Sequence, residues 1–220
     1  MKAVWYERAG PAPEVLSYGE MPTPVAGPGE VRVRLEASGV NPADVGRRAG
    51  SYRAMEFPRV IPNSDGAGIV DQLGDGVTRL SIGQRVWLFN GQRNGRAFGT
   101  AAEYIALAEH LVTPLPDDVS FAAGATLGIP AMTAWCCLNG DGATAGQTVL
   151  VTGGAGAVGH YAVQLAMGRG ARHRHCQFGL QGGAGAAGRR RSRDQLQDRG
   201  RGRQDDGFHR RTRRQPRGRC

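Results

Sequence analysis

The sequence predicts an α/β protein in which a small antiparallel β-barrel precedes the start of a doubly wound parallel sheet. Two observations lead to this prediction. Over residues 1–118, short segments of alternating polar and apolar residues are separated by turns rich in Pro and Gly, which is typical of an antiparallel barrel or sandwich. Over residues 119–171, longer apolar stretches lead into a continuous apolar strand and a glycine-rich turn, which is the order of a βαβ unit.

The first region contains six predicted strands and one predicted helix. The strands are Lys2–Tyr6, Val15–Tyr18, Glu30–Ala37, Gly66–Gln72, Gln84–Leu88 and Ala102–Ala106. The helix covers Asn41–Gly50, because Pro42 is compatible with a first helical turn and Gly50 with a C-terminal end.

The second region changes from strands to helices. Ser120 precedes an apolar stretch, Phe121–Leu138, which predicts one or two helices broken at Gly128–Pro130. Gln147–Thr152 follows as a strand of the buried parallel type, and His160–Met167 is the next predicted helix.

The composition excludes several classes of protein. No apolar run approaches the roughly 20 residues that span a membrane, and the first residues lack a signal-peptide core. The four Cys are placed too irregularly for a disulfide framework or a paired-Cys zinc site. We therefore expect a soluble cytoplasmic protein, with Cys136 and Cys137 packed in the core of an apolar helix.

The net charge of +9 is confined to the C-terminal residues. Residues 1–171 hold 13 Lys and Arg against 15 Asp and Glu, whereas residues 172–220 hold 15 Arg and four Asp. Such a stretch has too few apolar residues to fold, so we expect residues 172–220 to be a disordered tail. Its Arg/Gly runs resemble an arm that binds RNA phosphates. We favour a second explanation of the tail over binding to a nucleic acid.

The second explanation is a shifted reading frame near Ala171. Codons compatible with residues 172–181, 192–199 and 204–211 can each be read one base later to give the strand and loop sequence that a βαβ unit needs next. The shifted loop after the second strand offers Ser and Lys and no acidic residue, which suits the 2′-phosphate of NADPH better than the ribose of NADH.

The glycine-rich turn is a candidate dinucleotide-binding motif. Gly154, Gly156 and Gly159 have the GxGxxG spacing, with a predicted strand before them and a predicted helix after them. In that setting the glycines allow a tight turn, close approach of a pyrophosphate and close helix–strand packing. The alternative is a purely structural glycine turn.

These features together resemble the medium-chain dehydrogenase/reductase superfamily, and most closely its zinc-free quinone oxidoreductases, the ζ-crystallin group. The resemblance covers residues 1–171. The motifs that carry it are Ser38–Asp44, Gly50–Tyr52, Pro62–Gly68, Gly83–Val86, Gly128–Ala134 and Val151–Gly159 with Gln164. The resemblance implies a GroES-like barrel followed by a Rossmann domain, with the cofactor between them.

The residues present argue against a catalytic zinc site. Such a site needs about three ligands from Cys, His and carboxylates. Zinc-dependent members of the superfamily have a Cys where this chain has Asn41, and a His where it has Asn63 or Ser64. No Cys precedes Cys136, so the Cys-rich lobe of those members is also missing. We therefore predict no metal site.

The resemblance implies zinc-independent hydride transfer from NADPH to a quinone or an activated alkene, in a parent enzyme that is a homodimer. It assigns Asn41, Tyr52 and Thr133 to the nicotinamide and substrate site. It assigns the pyrophosphate to the turn formed by Gly153, Gly154, Ala155, Gly156, Ala157, Val158 and Gly159. An enoyl or alkenal reductase of the same superfamily is the alternative acceptor class. Because the chain departs from the family after residue 171, we expect the 220-residue product to be an inactive fragment.

Overall fold

The computed structural model describes residues 1–52, 54–93, 95–140, 146–168 and 172–177, the last segment by its backbone. All of these residues belong to one compact unit, Met1–Leu180. The strands are β1 (Lys2–Trp5), β2 (Ser17–Glu20), β3 (Glu30–Gly39), β4 (Asp65–Leu73), β5 (Arg85–Leu88), β6 (Tyr104–Ala108), β7 (Val112–Pro114), β8 (Thr148–Thr152) and β9 (Arg172–Gln177). The helices are α1 (Ala12–Val15), α2 (Pro42–Ala49), α3 (Phe121–Gly124), α4 (Met132–Asn139) and α5 (Ala157–Gly168).

A five-stranded antiparallel sheet forms the centre of the first region. Its strand order is β6-β3-β4-β5-β7. Side chains alternate along β3, so that Val31 and Val33 are buried while Arg32 and Arg34 lie on the other face. The main core cluster beneath the sheet consists of Val31, Val33, Val70, Leu80, Val86, Leu88, Ile105, Leu107 and Val112.

The predicted barrel does not close. Strands β1 and β2 pair with each other in a separate two-stranded sheet. An isolated bridge from Ala3 to Ala102 and a hydrogen bond from the Lys2 N–H to Glu103 join β1 to the chain just before β6, without a continuous ladder. Residues 95–103 approach the rest of the sheet as bends and isolated bridges, so no continuous ladder joins β6 to β7. The α/β fold class is confirmed, and the closed barrel is wrong.

Most predicted elements of the first region are present. The predicted strand Val15–Tyr18 is the main error, because Val15 ends helix α1 and β2 begins at Ser17. Pro11 and Pro13 explain the difference, since the fixed φ of proline suits the first turn of a helix. Helix α2 is confirmed, with Gly50 in the left-handed conformation at its C-terminal end (φ 76°).

The predicted break in the second apolar stretch is confirmed. Helix α3 begins after Ser120, whose Oγ accepts a hydrogen bond from the Ala123 N–H (3.2 Å). A π-helical turn, Leu127–Ala131, contains Pro130 and separates α3 from α4. Pro130 cannot donate a backbone hydrogen bond, which accounts for the irregular turn at this position.

Strand β8, helix α5 and strand β9 form a βαβ unit, in which β8 and β9 are parallel. One face of β8 packs against helices α4 and α5 through Val149 and Val151. Leu150, on the other face, is 64% exposed, so the prediction that β8 is buried on both faces is wrong for the described residues. Only one layer of helices covers this strand in the described part of the chain.

Two further predictions need correction. Cys136 and Cys137 are exposed, because helix α4 buries Ala134 and Leu138 instead. Residues Arg172–Gln177, placed in the disordered tail, form β9 beside β8. A parallel edge strand such as β8 offers unpaired backbone groups, and these accept a partner strand whatever its side chains are. The remaining tail, residues 178–220, lies outside the described residues, as do the RNA arm and the shifted reading frame proposed for it.

None of the helices in the described residues has the length and apolar character required to cross a membrane.

Candidate active site

Asn41 stands at the junction between β3 and α2. It directly precedes α2, and its backbone N–H donates to Oδ2 of Asp44 (2.9 Å). The negatively charged Asp44 in the first turn also suits the positive end of a helix. Asn41 is only 6% exposed, so the side chain that the sequence assigns to the nicotinamide is held mainly by protein contacts.

The side chain of Asn41 is bound to Asp65, the first residue of β4. Asn41 Nδ2 donates to Oδ2 of Asp65 (2.8 Å), and the backbone N–H of Ile129 donates to the same oxygen (2.8 Å). Because a carboxylate oxygen only accepts, the amide of Asn41 must present its nitrogen to Asp65. The carboxylate therefore fixes the orientation of this amide.

Asp65 is completely buried, and no described atom donates to its Oδ1. Burial disfavours the charged carboxylate and raises the pKa of Asp65, and the nearby Asp44 carboxylate acts in the same direction. The hydrogen bonds from Ile129 and Asn41 and the charge of Arg93 oppose this shift. The side chain thus lies in an environment that favours the protonated acid more than water does.

Neighbouring buried polar groups surround Asp65. Ser64 Oγ donates to Oδ1 of Asp44 (3.0 Å), and Thr100 Oγ1 donates to the backbone carbonyl of Asp65 (2.7 Å). Asn63 has a left-handed backbone (φ 74°), which Asn tolerates better than most residues, and its Nδ2 donates to Ser38 Oγ (3.0 Å). These bonds satisfy polar groups that would be costly to bury alone.

Thr133 is joined to the same cluster through the π-helical turn. Its Oγ1 donates to the carbonyl oxygen of Ile129 (2.6 Å), and the N–H of Ile129 donates to Asp65. Gly128 lies against the carboxylate, because a Cβ at this position would come within 2.1 Å of Asp65 Oδ1. The absence of a side chain at Gly128 therefore allows the turn to approach Asp65 closely.

Tyr52 occupies a different position, next to helix α2. Its ring lies over Gly46, where an added Cβ would come within 2.3 Å of Tyr52 Cε2. The side chain is 66% exposed. Tyr52 is thus placed on the surface of the helix that Asn41 precedes, with its ring available to a ligand.

The glycine-rich turn links β8 to α5 and has the conformation that the motif predicts. Gly153 has a left-handed backbone (φ 65°), and the Gly156 N–H donates to the Gly153 carbonyl (2.9 Å). A Cβ on Gly159 would come within 2.2 Å of the Gly153 carbonyl oxygen. Residues 155–158 are exposed at the start of α5, where the backbone N–H groups of a helix attract anions. The turn therefore fits the pyrophosphate of a dinucleotide.

Helix α5 connects the glycine-rich turn with the Asp65 cluster. The hydroxyl groups of Tyr161 and Thr126 are 2.7 Å apart, and Thr126 directly precedes the π-helical turn. Ala162 and Ala166 of α5 pack against Ala134 and Leu138 of α4. The two predicted parts of the cofactor site are thus joined by packed side chains.

The structure brings together Asn41 and Thr133 through Asp65, which the sequence analysis did not include among the site residues. A usable signal was present in the sequence. A charged residue at the start of a strand of small and apolar residues, Asp65–Val70, is expected to be buried with a partner. The role of the Ile129 backbone N–H could not be predicted, since it depends on the irregular turn at Pro130.

The resemblance aligns Asn41, and Asn63 or Ser64, with zinc ligands of zinc-dependent members, and all three residues here carry hydrogen-bonding side chains. Asn41 binds Asp65, Asn63 binds Ser38 and Ser64 binds Asp44. No cluster of three or more His, Cys, Asp or Glu side chains suited to a metal occurs within the described ranges. A zinc-free site remains a prediction from the residue types.

Comparison with known proteins supports the predicted family. Residues 27–117 match the alcohol dehydrogenase GroES-like domain. The chain is 36% identical over 160 residues to a quinone oxidoreductase of Rattus norvegicus, a match that covers 72% of this chain and 47% of that protein. A quinone oxidoreductase structure from Pseudomonas syringae superimposes with a TM-score of 0.67 at 34% identity, covering 78% of this chain and 51% of that one. Over the matched residues, the chain is similar to the quinone oxidoreductases of the medium-chain dehydrogenase/reductase superfamily.

Another solved structure similar to this chain is that of a mycobacterial protein in complex with NADPH. It superimposes with a TM-score of 0.67 at 33% identity, over 79% of this chain and 52% of that chain. The chain spans about half the length of the curated relatives it matches. The predicted family is confirmed, whereas the roles of individual site residues and the domain boundaries at residues 118 and 171 stay predictions.

Proposed function

We propose that this chain is the N-terminal half of an NADPH-dependent, zinc-independent quinone oxidoreductase. One observation carries the proposal. The glycine-rich turn leads into α5, α5 packs on the π-helical turn, and that turn shares the Asp65 carboxylate with Asn41. A pyrophosphate site and a candidate nicotinamide site are therefore connected within the described residues, as hydride transfer requires.

The residues present fit NADPH. The backbone from Gly153 to Gly159 would hold the pyrophosphate, while Asn41, Tyr52 and Thr133 would bind and orient the nicotinamide end. When bound, NADPH would supply the hydride for the reduction, and the proton that completes the hydroquinone would come from water. The name and the NADPH complex of the relatives support this choice of cofactor.

The acceptor is a quinone or another conjugated carbonyl compound. Conjugation spreads the negative charge that hydride addition creates, so the reaction depends less on a Lewis acid than carbonyl reduction does. The amide or hydroxyl side chains at Asn41, and at Asn63 or Ser64, where the resemblance implies zinc ligands in other members, support this acceptor class, and so do the quinone oxidoreductase names of the relatives. Tyr52, exposed beside α2, offers an aromatic surface against which a flat ring can pack.

We also propose that the parent enzyme is a cytoplasmic homodimer. It acts on a small-molecule acceptor and needs no nucleic-acid partner. The arginine-rich residues after 177 then play no part in catalysis. Sedimentation of the parent enzyme tests the dimer.

The experiment compares two products of the same gene. One is the 220-residue chain, and the other is read from the shifted frame after Ala171. We expect the longer product to oxidise NADPH in the presence of 1,4-benzoquinone, and the 220-residue chain to show no turnover. Dialysis against EDTA should leave the rate unchanged, because no metal takes part.

Three controls accompany this experiment. NADH in place of NADPH tests the cofactor preference, and cinnamaldehyde in place of benzoquinone tests the alkenal reductase alternative. Asn41→Ala should lower turnover without loss of fold if the site is correctly placed. A longer product that binds NADPH yet reduces neither acceptor contradicts the proposed reaction, and turnover by the 220-residue chain contradicts its description as an inactive fragment.

A further inference from the structure

The buried Asp65 carboxylate is the only side chain in the described residues seen to bind both Asn41 and the π-helical turn. Its Oδ2 accepts from Asn41 Nδ2 and from the Ile129 N–H, each at 2.8 Å. Asn41 precedes α2, whereas Ile129 belongs to the segment that follows the GroES-like domain. A single oxygen thus joins Asn41 and Ile129, which are 88 positions apart in the sequence.

Each of the two donors leads to a predicted nicotinamide-site residue. Asn41 is one of these residues itself. Ile129 accepts at its carbonyl oxygen from Thr133 Oγ1 (2.6 Å), so the rotamer of Thr133 depends on the position of the turn. Asp65 itself is fully buried and cannot reach a ligand, so it acts through its neighbours.

A completely buried carboxylate with an unpaired oxygen is an unfavourable core residue. An apolar residue of similar size would often be as stable or more stable at a site whose only purpose is packing. The bare Cα of Gly128 against Oδ1 shows that the turn is shaped around this side chain. These costs point to a function for the carboxylate beyond filling space.

We propose that Asp65 is a positioning residue, which fixes the Asn41 amide and the Thr133 turn relative to each other and so sets the geometry of the nicotinamide site. This inference rests on the proposed function, under which Asn41 and Thr133 belong to the nicotinamide site. The positioning itself can be measured without catalysis.

The test uses the full 220-residue chain in three variants. Asp65→Ala removes the acceptor, and Asp65→Asn keeps an oxygen that can accept both bonds. Ser64→Ala is the matched control, because Ser64 is the buried neighbour in sequence and its hydroxyl donates to Asp44, whereas the Ile129 N–H donates to Asp65. The readouts are NMR of the Asn41 side-chain amide, hydrogen exchange at the Ile129 amide, and NADPH affinity by nicotinamide fluorescence.

In the wild-type chain, the Asn41 side-chain resonances should change as Asp65 ionises, at a pH above the ordinary pKa of an aspartate. Asp44 on α2 and Arg93 also act on Asp65. Both residues are kept in all variants, and Ser64→Ala removes only the hydrogen bond that Ser64 Oγ donates to Asp44. Asp65→Asn should abolish this pH dependence, and Ser64→Ala should retain it. Asp65→Ala should accelerate exchange at Ile129 and lower NADPH affinity by about tenfold or more, as expected for a lost hydrogen bond to a buried charged group.

Rescue by the conservative variant separates positioning from simple stability. Asp65→Asn should keep NADPH affinity within about threefold of the wild-type value, because both hydrogen bonds can still form. If Asp65→Ala unfolds the chain, the pH dependence in Asp65→Asn still decides the question. Asn41 resonances that titrate in Asp65→Asn as in the wild type overturn the inference.

The two proposals can fail separately. A wild-type chain that does not bind NADPH contradicts the proposed function for this chain, while altered Asn41 resonances and Ile129 exchange in the variants still support the positioning role. Conversely, a wild-type chain that binds NADPH, with Asp65→Ala binding equally well and showing unchanged Asn41 resonances, supports the function and overturns the positioning role.

Discussion

The two parts of the candidate cofactor site are built by opposite means. Around the buried Asp65, hydrogen bonds to its carboxylate fix Asn41 and the π-helical turn. In the turn Gly153–Gly159, most of which is exposed, backbone packs on backbone, and Gly159 has no room for a side chain against the Gly153 carbonyl. Removal of a hydrogen-bonding atom should therefore damage the first part, whereas addition of an atom should damage the second.

The largest effect is expected from an added methyl group in the glycine-rich turn. In Gly159→Ala the new Cβ would lie 2.2 Å from the Gly153 carbonyl oxygen, and backbone cannot move aside as a flexible side chain can. We expect a loss of about 1–3 kcal/mol in the free energy of unfolding and a drop of about tenfold or more in NADPH affinity. Urea denaturation and fluorescence titration measure the two quantities.

Gly168→Ala is the matched control at the other end of α5. Nothing lies within 4 Å of a Cβ there, and alanine favours a helix over glycine by about 0.5–1 kcal/mol. This variant should be as stable as the wild type or slightly more stable. If both glycines tolerate alanine equally, the turn does not depend on close backbone packing.

The next largest effect is expected at Gly128, which lies beside Asp65 in the first part but, like Gly159 in the second, has no room for an added side chain. A Cβ on Gly128 would meet Asp65 Oδ1 at 2.1 Å. Gly128→Ala should therefore destabilise the chain by about 1–3 kcal/mol and displace the carboxylate. In the double variant with Asp65→Ala, the loss should be smaller than the sum of the two single losses, since the obstacle is gone. Strict additivity in urea denaturation would contradict the contact.

The smallest effect concerns the link between the two parts. Tyr161→Phe removes the hydroxyl that pairs with Thr126 Oγ1 at 2.7 Å. Because this bond is exposed to water, the free energy of unfolding should fall by only about 0.5 kcal/mol. Thr126→Val removes the same pair and also the hydrogen bond that Thr126 Oγ1 donates to the Ala123 carbonyl (2.8 Å), so thermal denaturation should show a somewhat larger loss for this variant. A loss several times larger in Tyr161→Phe than in Thr126→Val would mean that the Tyr161 side chain has another role.

Much of the fold could be predicted from local sequence. The caps at Asn41 and Ser120, the break near Pro130 and the strand–glycine–helix order at residues 148–168 all depend on residues near one another in sequence. Closure of a barrel depends on contacts between distant strands, and neither alternation nor turn residues reveal whether β1 joins β6. Local sequence therefore predicts the individual strands better than it predicts how they pair into a sheet.

The same limit applies to the candidate site. Asn41, Thr133 and the glycines could be proposed from motifs, because each lies in a short recognisable segment. Their connection through Asp65 could not be predicted, since it requires a strand residue, a helix-capping residue and an amide of an irregular turn to meet in space. The exposed faces of Leu150 and Cys136 were missed for a related reason, because apolar character alone does not indicate how many layers cover an element.

The contact between Gly128 and Asp65 also has an evolutionary consequence. A lineage that replaces Gly128 with any larger residue must first shorten the side chain at position 65, and a lineage that has lost the aspartate no longer needs the glycine. The two positions should therefore vary together among descendants of this gene. A homologue that keeps the aspartate while carrying a bulky residue at the other position would need a differently shaped turn.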